Sequence, residues 1–540
     1  MEPTQQMEIQ LGHMCNNRCV FCVSGQRTAR REAFPLEADP ILSRIRDAWD
    51  SGMRKLTLLG GEPTIQPEFM NILRTAVGLG FEEIVIFTNG VKTARPSFMD
   101  EVLATGGNFT FRFSFQGANR EAHERTTKKD GSFGRLVESL KNAHTRGQRV
   151  TVNMCVVRSN YESVADFPAL ILPYGARQLH LDMIRPLDAG ERTEEEMRGM
   201  LPRYSDMVPY LEKMIAGFPP GFDVNIGNLP YCIAPQLARW IHHDGEQTFT
   251  VAIDEKDTVS EPWNKYEVKR RDKVKRDACG TCVFDAKCSG VFETYRDFYG
   301  VDELVPITRE RLAEVDPEFH LFALHLEPAL AAVAAWKPPE PFGPPAVRVE
   351  SVVSHEAVLS FPGPAGAVVV ALRRPGPGGI AATRQFTMHL LEAPDAGPFT
   401  LKLLRSLFEV LARAGATTVV HPVGEDAAFQ AERPPRLGAL LDMRLGSWLR
   451  FLRTQAPFGA LSWKNVAITG AGKAATLSLV DSAGAEAAVT LTVKGTQIGG
   501  AYKLLTPGMA PSPELVEGLR ALFGVLRAPS SSATPVEARA

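Results

Sequence analysis

Between residues 7 and 186 the sequence alternates short apolar strands with helical segments about six times. MEIQL (7–11), KLTLLGGEPT, EEIVIFTNG, NFTFRFSFQG, QRVTVNMCVV and QLHLDMIRP read as the strands. Leu36 to Trp49, Pro67 to Leu79, Pro96 to Ala104, Phe133 to Thr145 and Tyr161 to Leu172 read as the helices between them. Strands that alternate with helices pair in parallel through crossovers, so the expected class is α/β. Glycines and polar residues collect just after the strands, at the end of a parallel sheet that holds active sites.

The cysteines sharpen this frame. All eight precede residue 290, in local groups: Cys15, Cys19 and Cys22, then Cys155, then Cys232, then Cys279, Cys282 and Cys288. Close-set thiolates suit a soft metal or an iron–sulfur cluster better than a disulfide scaffold. The first group, C-x3-C-x2-C, follows a strand directly. Three thiolates hold three irons of a [4Fe–4S] cluster and leave the fourth open to a small molecule. The alternative at this point is a structural zinc site completed by His13.

The flanking motifs resemble the radical S-adenosylmethionine (SAM) superfamily. Gly60, Gly61, Glu62 and Pro63 match its glycine–glycine–glutamate–proline segment, and Thr88, Asn89 and Gly90 its threonine–asparagine–glycine turn. SFQG (114–117) resembles its strand-four exit, and Val152–Asn153 its strand-five region. The resemblance implies a partial, TIM-like (β/α)6 barrel, with Cys15, Cys19 and Cys22 holding the catalytic [4Fe–4S] cluster. It implies SAM contacts from Gly60, Gly61, Glu62, Pro63, Ser114 and Asn153, with Arg158 a candidate for the carboxylate and Phe21 near the adenine. Asp182 and Arg185, ending the sixth strand, are candidate substrate contacts. The implied reaction is reductive cleavage of SAM to a 5′-deoxyadenosyl radical, which abstracts hydrogen from a peptide or small-metabolite substrate. It is the chemistry of an oxidoreductase or maturase, fed by a flavodoxin or ferredoxin.

Cys279, Cys282 and Cys288 form C-x2-C-x5-C, and Cys232 precedes them by 47 residues. Four soft ligands close off one metal centre. The sequence around them resembles the SPASM or shorter twitch extension, which implies one auxiliary [4Fe–4S] cluster; a four-cysteine zinc knuckle is the alternative. KYEVKRRDKVKRD (265–277) reads as a solvated helix face rather than an anion or nucleic-acid site. Cys155 reads as a buried apolar filler, and His123, His242 and His243 as surface or pocket residues.

The expected domains are the barrel (1–215), the auxiliary-cluster domain with a helical extension (216–336), a proline-rich linker (337–345), an α+β domain (346–528) and a disordered tail (529–540). Proline excludes the linker from helix and sheet interiors. FTLKLLRSLFEVL and SPELVEGLRALFGVL echo each other, a candidate duplication within the α+β domain. There Trp463, Lys464, Tyr502 and Lys503 are candidates for a pocket or a sheet face. The formal charge of −2 and the lack of a long apolar run argue against broad nucleic-acid binding and a membrane span. A cytoplasmic protein with reduced thiols is expected. Fourteen residues precede Cys15, too few for a leader-peptide recognition domain there. The rival from another class is a non-catalytic zinc or iron–sulfur scaffold.

Overall fold

The structure is a computed structural model. It describes residues 5–243, 247–254, 256–374, 386–414, 419–420, 440–455, 458–495, 497–505, 511–527 and 537–538. The chain forms two compact units, Met1–Arg311 and Leu312–Ala540.

In the first unit eight strands lie side by side in chain order, all parallel. They are β1 (Gln6–Gln10), β2 (Lys55–Leu59), β3 (Glu83–Thr88), β4 (Phe109–Ser114), β5 (Arg149–Val156), β6 (Gln178–Met183), β7 (Asp223–Gly227) and β8 (Ile241–His242). On the other side of β1 lies β9 (Thr248–Val251), parallel to it, and β10 (Trp263–Asn264) pairs antiparallel with β9. The core is thus the expected parallel sheet, with strands added at both edges. TFTVAI (248–253) supplies β9 and so joins the main sheet.

Helices cover one face. Ala38–Asp50 buries Ile41, Leu42, Ile45 and Ala48, and Phe69–Leu79 buries Phe69, Ile72, Leu73 and Ala76, each one stripe at helical spacing. Beneath them Met7, Ile9, Leu56, Leu58, Phe111, Phe113, Leu179 and Leu181 are buried. Each such side chain contributes roughly 1.5–3 kcal/mol by leaving water.

The opposite face is polar. Glu8, Lys55, Arg112, His180, Asn225 and Thr248, from six different strands, line one cavity of about 320 Å³. Side chains from both edges of a sheet meet this way only when it curls into a barrel wall. Glu8 is buried and pairs with Lys265 at 2.9 Å. Alternating polar and apolar residues in these strands therefore mark a polar lumen, where α/β barrels are usually packed with branched apolar residues.

After β10, the helix Lys265–Arg271 leads to a two-stranded ladder, β11 (Lys273–Val274) with β12 (Val291–Phe292), that frames the second cysteine loop.

The second unit holds two five-stranded sheets of the same topology. In the first, β13 (Ala346–Arg348), β14 (Glu356–Phe361), β15 (Val368–Arg373) and β16 (Phe386–Glu392) run antiparallel. The helix Pro398–Arg413 follows, and β17 (Val419–Val420) then pairs parallel with β16. In the second, β18 (Ser462–Thr469), β19 (Ala474–Val480), β20 (Glu486–Lys494) and β21 (Gln497–Leu504) run antiparallel. The helix Pro513–Arg527 follows, and β22 (Glu537–Ala538) pairs parallel with β21. The two echoing segments are the two equivalent helices, so the echo reflects a duplicated topology.

Both halves share one core, which includes Leu403, Leu407, Leu477, Val489, Leu515 and Leu522. Phe322, Leu326, Ala329 and Val333 of the helix Phe322–Ala335 belong to the same core. The helical extension assigned to the cluster region thus packs with the second unit, because its apolar stripe finds its partners there. Of the tail 529–540, only 537–538 lie among the described residues. No helix among the described residues is long and apolar enough to cross a membrane.

Candidate functional site

The first cysteine loop leaves the end of β1 and runs into the helix Val23–Arg30. Main-chain bonds from Arg18 N to Thr127 O (2.9 Å) and Val20 N to Thr126 O (3.0 Å) pin its outer side. Gly61 N to Gly12 O and Glu62 N to Met14 O, both 2.7 Å, fasten its inner side to the turn after β2. Gly60 has φ +141°, and a Cβ there would stand 2.8 Å from Gly12 O, so this approach needs glycine.

Glu62 joins that turn to the one after β3. Its Oε1 accepts from Thr64 Oγ1 (2.5 Å), Thr64 N (3.2 Å) and Thr88 Oγ1 (2.6 Å), and its Oε2 from Asn89 N (2.6 Å). Burial raises the pKa of this carboxyl, and the donated bonds offset only part of that. Asn89 Nδ2 donates to Asn16 Oδ1 (2.6 Å) and lies 3.7 Å from Cys15 Sγ, which Asn17 N also approaches at 3.4 Å.

Cys15, Cys19, Phe21, Cys22, Gly60, Gly61, Glu62, Ser114, Asn153, Asp182 and Arg185 all line one cavity of about 330 Å³. Ser114 Oγ donates to Asn153 Oδ1 (3.2 Å) across the β4–β5 register. Pro63 does not line the cavity; it is buried and opens the short turn after Glu62. Arg158 is not brought there either. Its guanidinium donates to Leu201 O (3.0 Å) and Tyr299 Oη (2.6 Å).

His13 has both ring nitrogens engaged, Nδ1 2.9 Å from Ser24 Oγ and Nε2 3.1 Å from Ile253 O. It is therefore not poised to complete a zinc site with the three thiols. Burial pushes Cys15 up to about 12, with the Glu62 carboxylate adding to it. Burial also raises Cys22, and it raises Cys19 well above the ordinary value. Binding a soft cation is what would make such thiols give up their protons. The donor set, the open cavity beside it and the donors to Cys15 fit a three-cysteine cluster.

Several cavity residues were missed by sequence reasoning. Asn17, Gln116, Asn228, Asp188 and Lys269 line it, and so does Cys155, which was read as core filler. Cys155 sits on the lumen side of β5, in register with Asp182. Lys265 and Lys269, read as part of a solvated face, point inward from one side of their helix. Lys269 lies 3.5 Å from Asp182, which also meets His180 (3.0 Å) and Asn228 Nδ2 (2.9 Å). Burial works to raise Asp182, but Lys269, His180 and Lys265 together hold it well below the usual carboxylate range. The i, i+4 spacing of those lysines was the available signal. Arg185 is held by Asp272 (2.8 Å) and Asp188 (3.2 Å). His123 is buried rather than at a surface, and its Nδ1 accepts from Gln116 N (3.0 Å).

Cys232, Cys279, Cys282 and Cys288 of the second group are all free thiols. Burial pushes Cys232 up to about 12, and Cys288, Cys282 and Cys279 each add to it, so Cys232 stands within electrostatic reach of all three. Tyr231 stacks on Phe284 with centroids 4.6 Å apart and on His243 at 5.3 Å, which anchors the Cys232 turn. Among the described residues no group of three or more His, Cys, Asp or Glu side chains stands in metal-ligand geometry. In the second unit Lys464 pairs with Glu486, Trp463 stacks near Phe458, and Tyr502 is exposed beside Phe523; these residues lie on a sheet.

Residues 9–171 match the family model of the radical SAM superfamily. A probable GTP 3′,8-cyclase of Saccharolobus islandicus is 28% identical over 214 residues, 39% of this chain and 66% of that protein. One from Metallosphaera sedula is 26% identical over 200 residues, 37% of this chain and 61% of that protein. The chain thus spans just under two thirds of the length of these relatives. Among solved structures, Streptococcus suis SuiB bound to S-adenosylmethionine aligns over 54% of this chain and 73% of that one, at 16% identity and TM-score 0.41. Native anSMEcpe with bound AdoMet aligns over 58% and 97%, at 14% identity and TM-score 0.39.

Proposed function

We propose that this protein, whose residues 9–171 match the radical SAM family model, is a radical enzyme acting on a peptide or small metabolite, with one auxiliary cluster held by Cys232, Cys279, Cys282 and Cys288. One observation carries the reading. Cys15, Cys19 and Cys22 share a cavity with Gly60 and Gly61, Ser114 and Asn153 on one side, and with Asp182, Arg185 and Lys269 on another. When bound, a [4Fe–4S] cluster and SAM supply a 5′-deoxyadenosyl radical at such a site.

The chain's own residues hold and orient. Asn17 N and Asn89 Nδ2 donate toward Cys15 Sγ and favour its thiolate. The backbone of Gly60 and Gly61 offers close approach to the methionine amino group. Ser114 and Asn153, already bonded to each other, present a joined polar edge for ribose hydroxyls. Asp182 stays ionised and positions a substrate from the wall facing the cysteines.

Charge bears on the substrate. Arg185 is paired with two aspartates and Lys269 with Asp182, so these two cavity cations are already balanced. That favours a neutral or zwitterionic substrate over a triphosphate such as the GTP in the names of the curated relatives. We assign the work to the cytoplasm, where all eight free cysteines stay reduced.

The test is anaerobic reconstitution with iron and sulfide, then reduction with SAM present. Formation of 5′-deoxyadenosine is expected, carrying deuterium from a labelled substrate. A zinc-only protein, or one that cleaves no SAM, would return the chain to the scaffold reading.

A further inference from the structure

The polar lumen adjoins the cavity of the first cysteines. Asp182, Asn228 and Lys269 line both hollows, so the two meet at these side chains. Strand β4 shows the same continuity. Ser114 lines the cysteine cavity, and Arg112, two residues earlier on the same face, lines the lumen. Two residues of a strand span about 7 Å.

The other lumen charges have close partners. Both Glu8 oxygens accept from Lys265 Nζ, at 3.1 and 2.9 Å. Asp182 meets Lys269 at 3.5 Å and His180 at 3.0 Å. Lys55 reaches Glu83 at 3.6 Å. Arg112 differs. Its Nε stands 3.4 Å from Thr151 Oγ1, beyond the usual hydrogen-bond range, and its guanidinium lies 5.8 Å from the Phe87 ring centroid. It helps to hold Glu8 ionised from a distance, after Lys265. Among the described residues no carboxylate stands within ion-pair distance of it, and neither terminal nitrogen has a hydrogen-bond partner. The forked end of this guanidinium therefore faces the lumen unoccupied. Such a fork matches a carboxylate, to which it donates two parallel bonds. One uncompensated cation balances one negative charge, and the nearby Glu8 and Asp182 carboxylates oppose a second.

We propose that Arg112 determines substrate specificity: it binds the carboxylate of a substrate that reaches from the lumen past Asp182 to the cavity of the first cysteines. The inference rests on the enzyme reading above and narrows its substrate class to molecules with a single carboxylate in this subsite, such as a peptide C-terminus. The rise from Arg112 to Ser114 sets the reacting position several bonds away from that carboxylate. A free α-amino acid reacting at its own Cα does not meet this requirement.

The experiment uses the full chain, reconstituted with iron and sulfide, left unreduced, with SAM present. The probes are N-acetyl-L-alanyl-L-alanine and its neutral C-terminal amide, titrated calorimetrically. The acid should bind about tenfold more tightly than the amide. Arg112→Met should remove that preference while binding the amide as wild type does, which also shows that the variant is folded. Arg112→Lys should restore part of the preference. Arg74→Met, an exposed arginine paired with Glu101, should keep all of it. Equal binding of acid and amide by wild type would overturn the proposal, as would a preference that survives Arg112→Met. So would inorganic phosphate binding through Arg112 as tightly as the dipeptide, the mark of a bare anion site. Equal loss of both probes in both Arg112 variants would show a merely structural role and also overturn it. Formation of 5′-deoxyadenosine on reduction, measured in parallel, decides the enzyme reading separately, because the binding preference needs no reduced cluster.

Discussion

The two cysteine groups face opposite problems. The first sets three thiols against an open cavity, on a loop braced by β2, β3 and the helix Arg120–Thr127. The second sets Cys232, from a turn far earlier in the chain, within electrostatic reach of Cys279, Cys282 and Cys288, with Tyr231 beside it stacked on Phe284. Three ligands beside a cavity leave a position for chemistry, whereas four complete a centre. On the function proposed here, the first site would admit a ligand, whereas the second would only hold its own atoms.

The largest expected effect tests that division. Cys15→Ala, Cys19→Ala or Cys22→Ala should reduce deoxyadenosine formation to background. Cys279→Ala should cost about four irons per chain yet keep SAM cleavage without substrate. Equal losses from both groups would erase the distinction. Next is Lys265→Met, on the helix that leads to the second group, which leaves Glu8 charged and buried. Urea denaturation should show a loss of about 3 kcal/mol, mostly recovered in Glu8→Leu/Lys265→Met.

A smaller effect comes from acid. Burial lowers His123 from 6.5 to about 4, so it folds neutral while the unfolded chain takes up a proton first. Its stabilisation is full above pH 6.5 and fades as pH falls through about 4, a loss of about 3 kcal/mol by the end. His123→Gln should flatten that part of the pH–stability curve. If the curve keeps its slope, His123 is not what braces the β4 exit beside the first group. The smallest effect is at Arg158, which bonds Tyr299 on the second group's side. Arg158→Ala should leave SAM affinity unchanged in equilibrium binding; a tenfold loss would return it to the first site.

The first site was legible because its signals are local. The cysteine spacing, Gly60–Pro63 and Thr88–Gly90 each lie within one loop, and the period of strands and helices fixed their order. Arg158 was misplaced because its strand-end position matches the motif while its side chain is claimed by Leu201 and Tyr299, which spacing does not reveal. Lys265 and Lys269 look like surface charge in sequence; only the return of their helix to the barrel gives them Glu8 and Asp182 as partners. β7 and β8 are short and lack the repeating period, so their place in the sheet comes from pairing rather than pattern.

The pairing of β9 with β1 also has a meaning in time. Gln10 Oε1 receives a bond from Ile253 N, and His13 is held by Ile253 O, so part of the brace beside the first cysteines is made more than two hundred residues after them. Synthesis runs from the N-terminus, and distant pairings close late. A nascent chain that has released its first six strands therefore carries Cys15, Cys19 and Cys22 on a loop still missing one wall. Until β9 and Ile253 emerge, that loop lacks the hold that Ile253 places on Gln10 and His13.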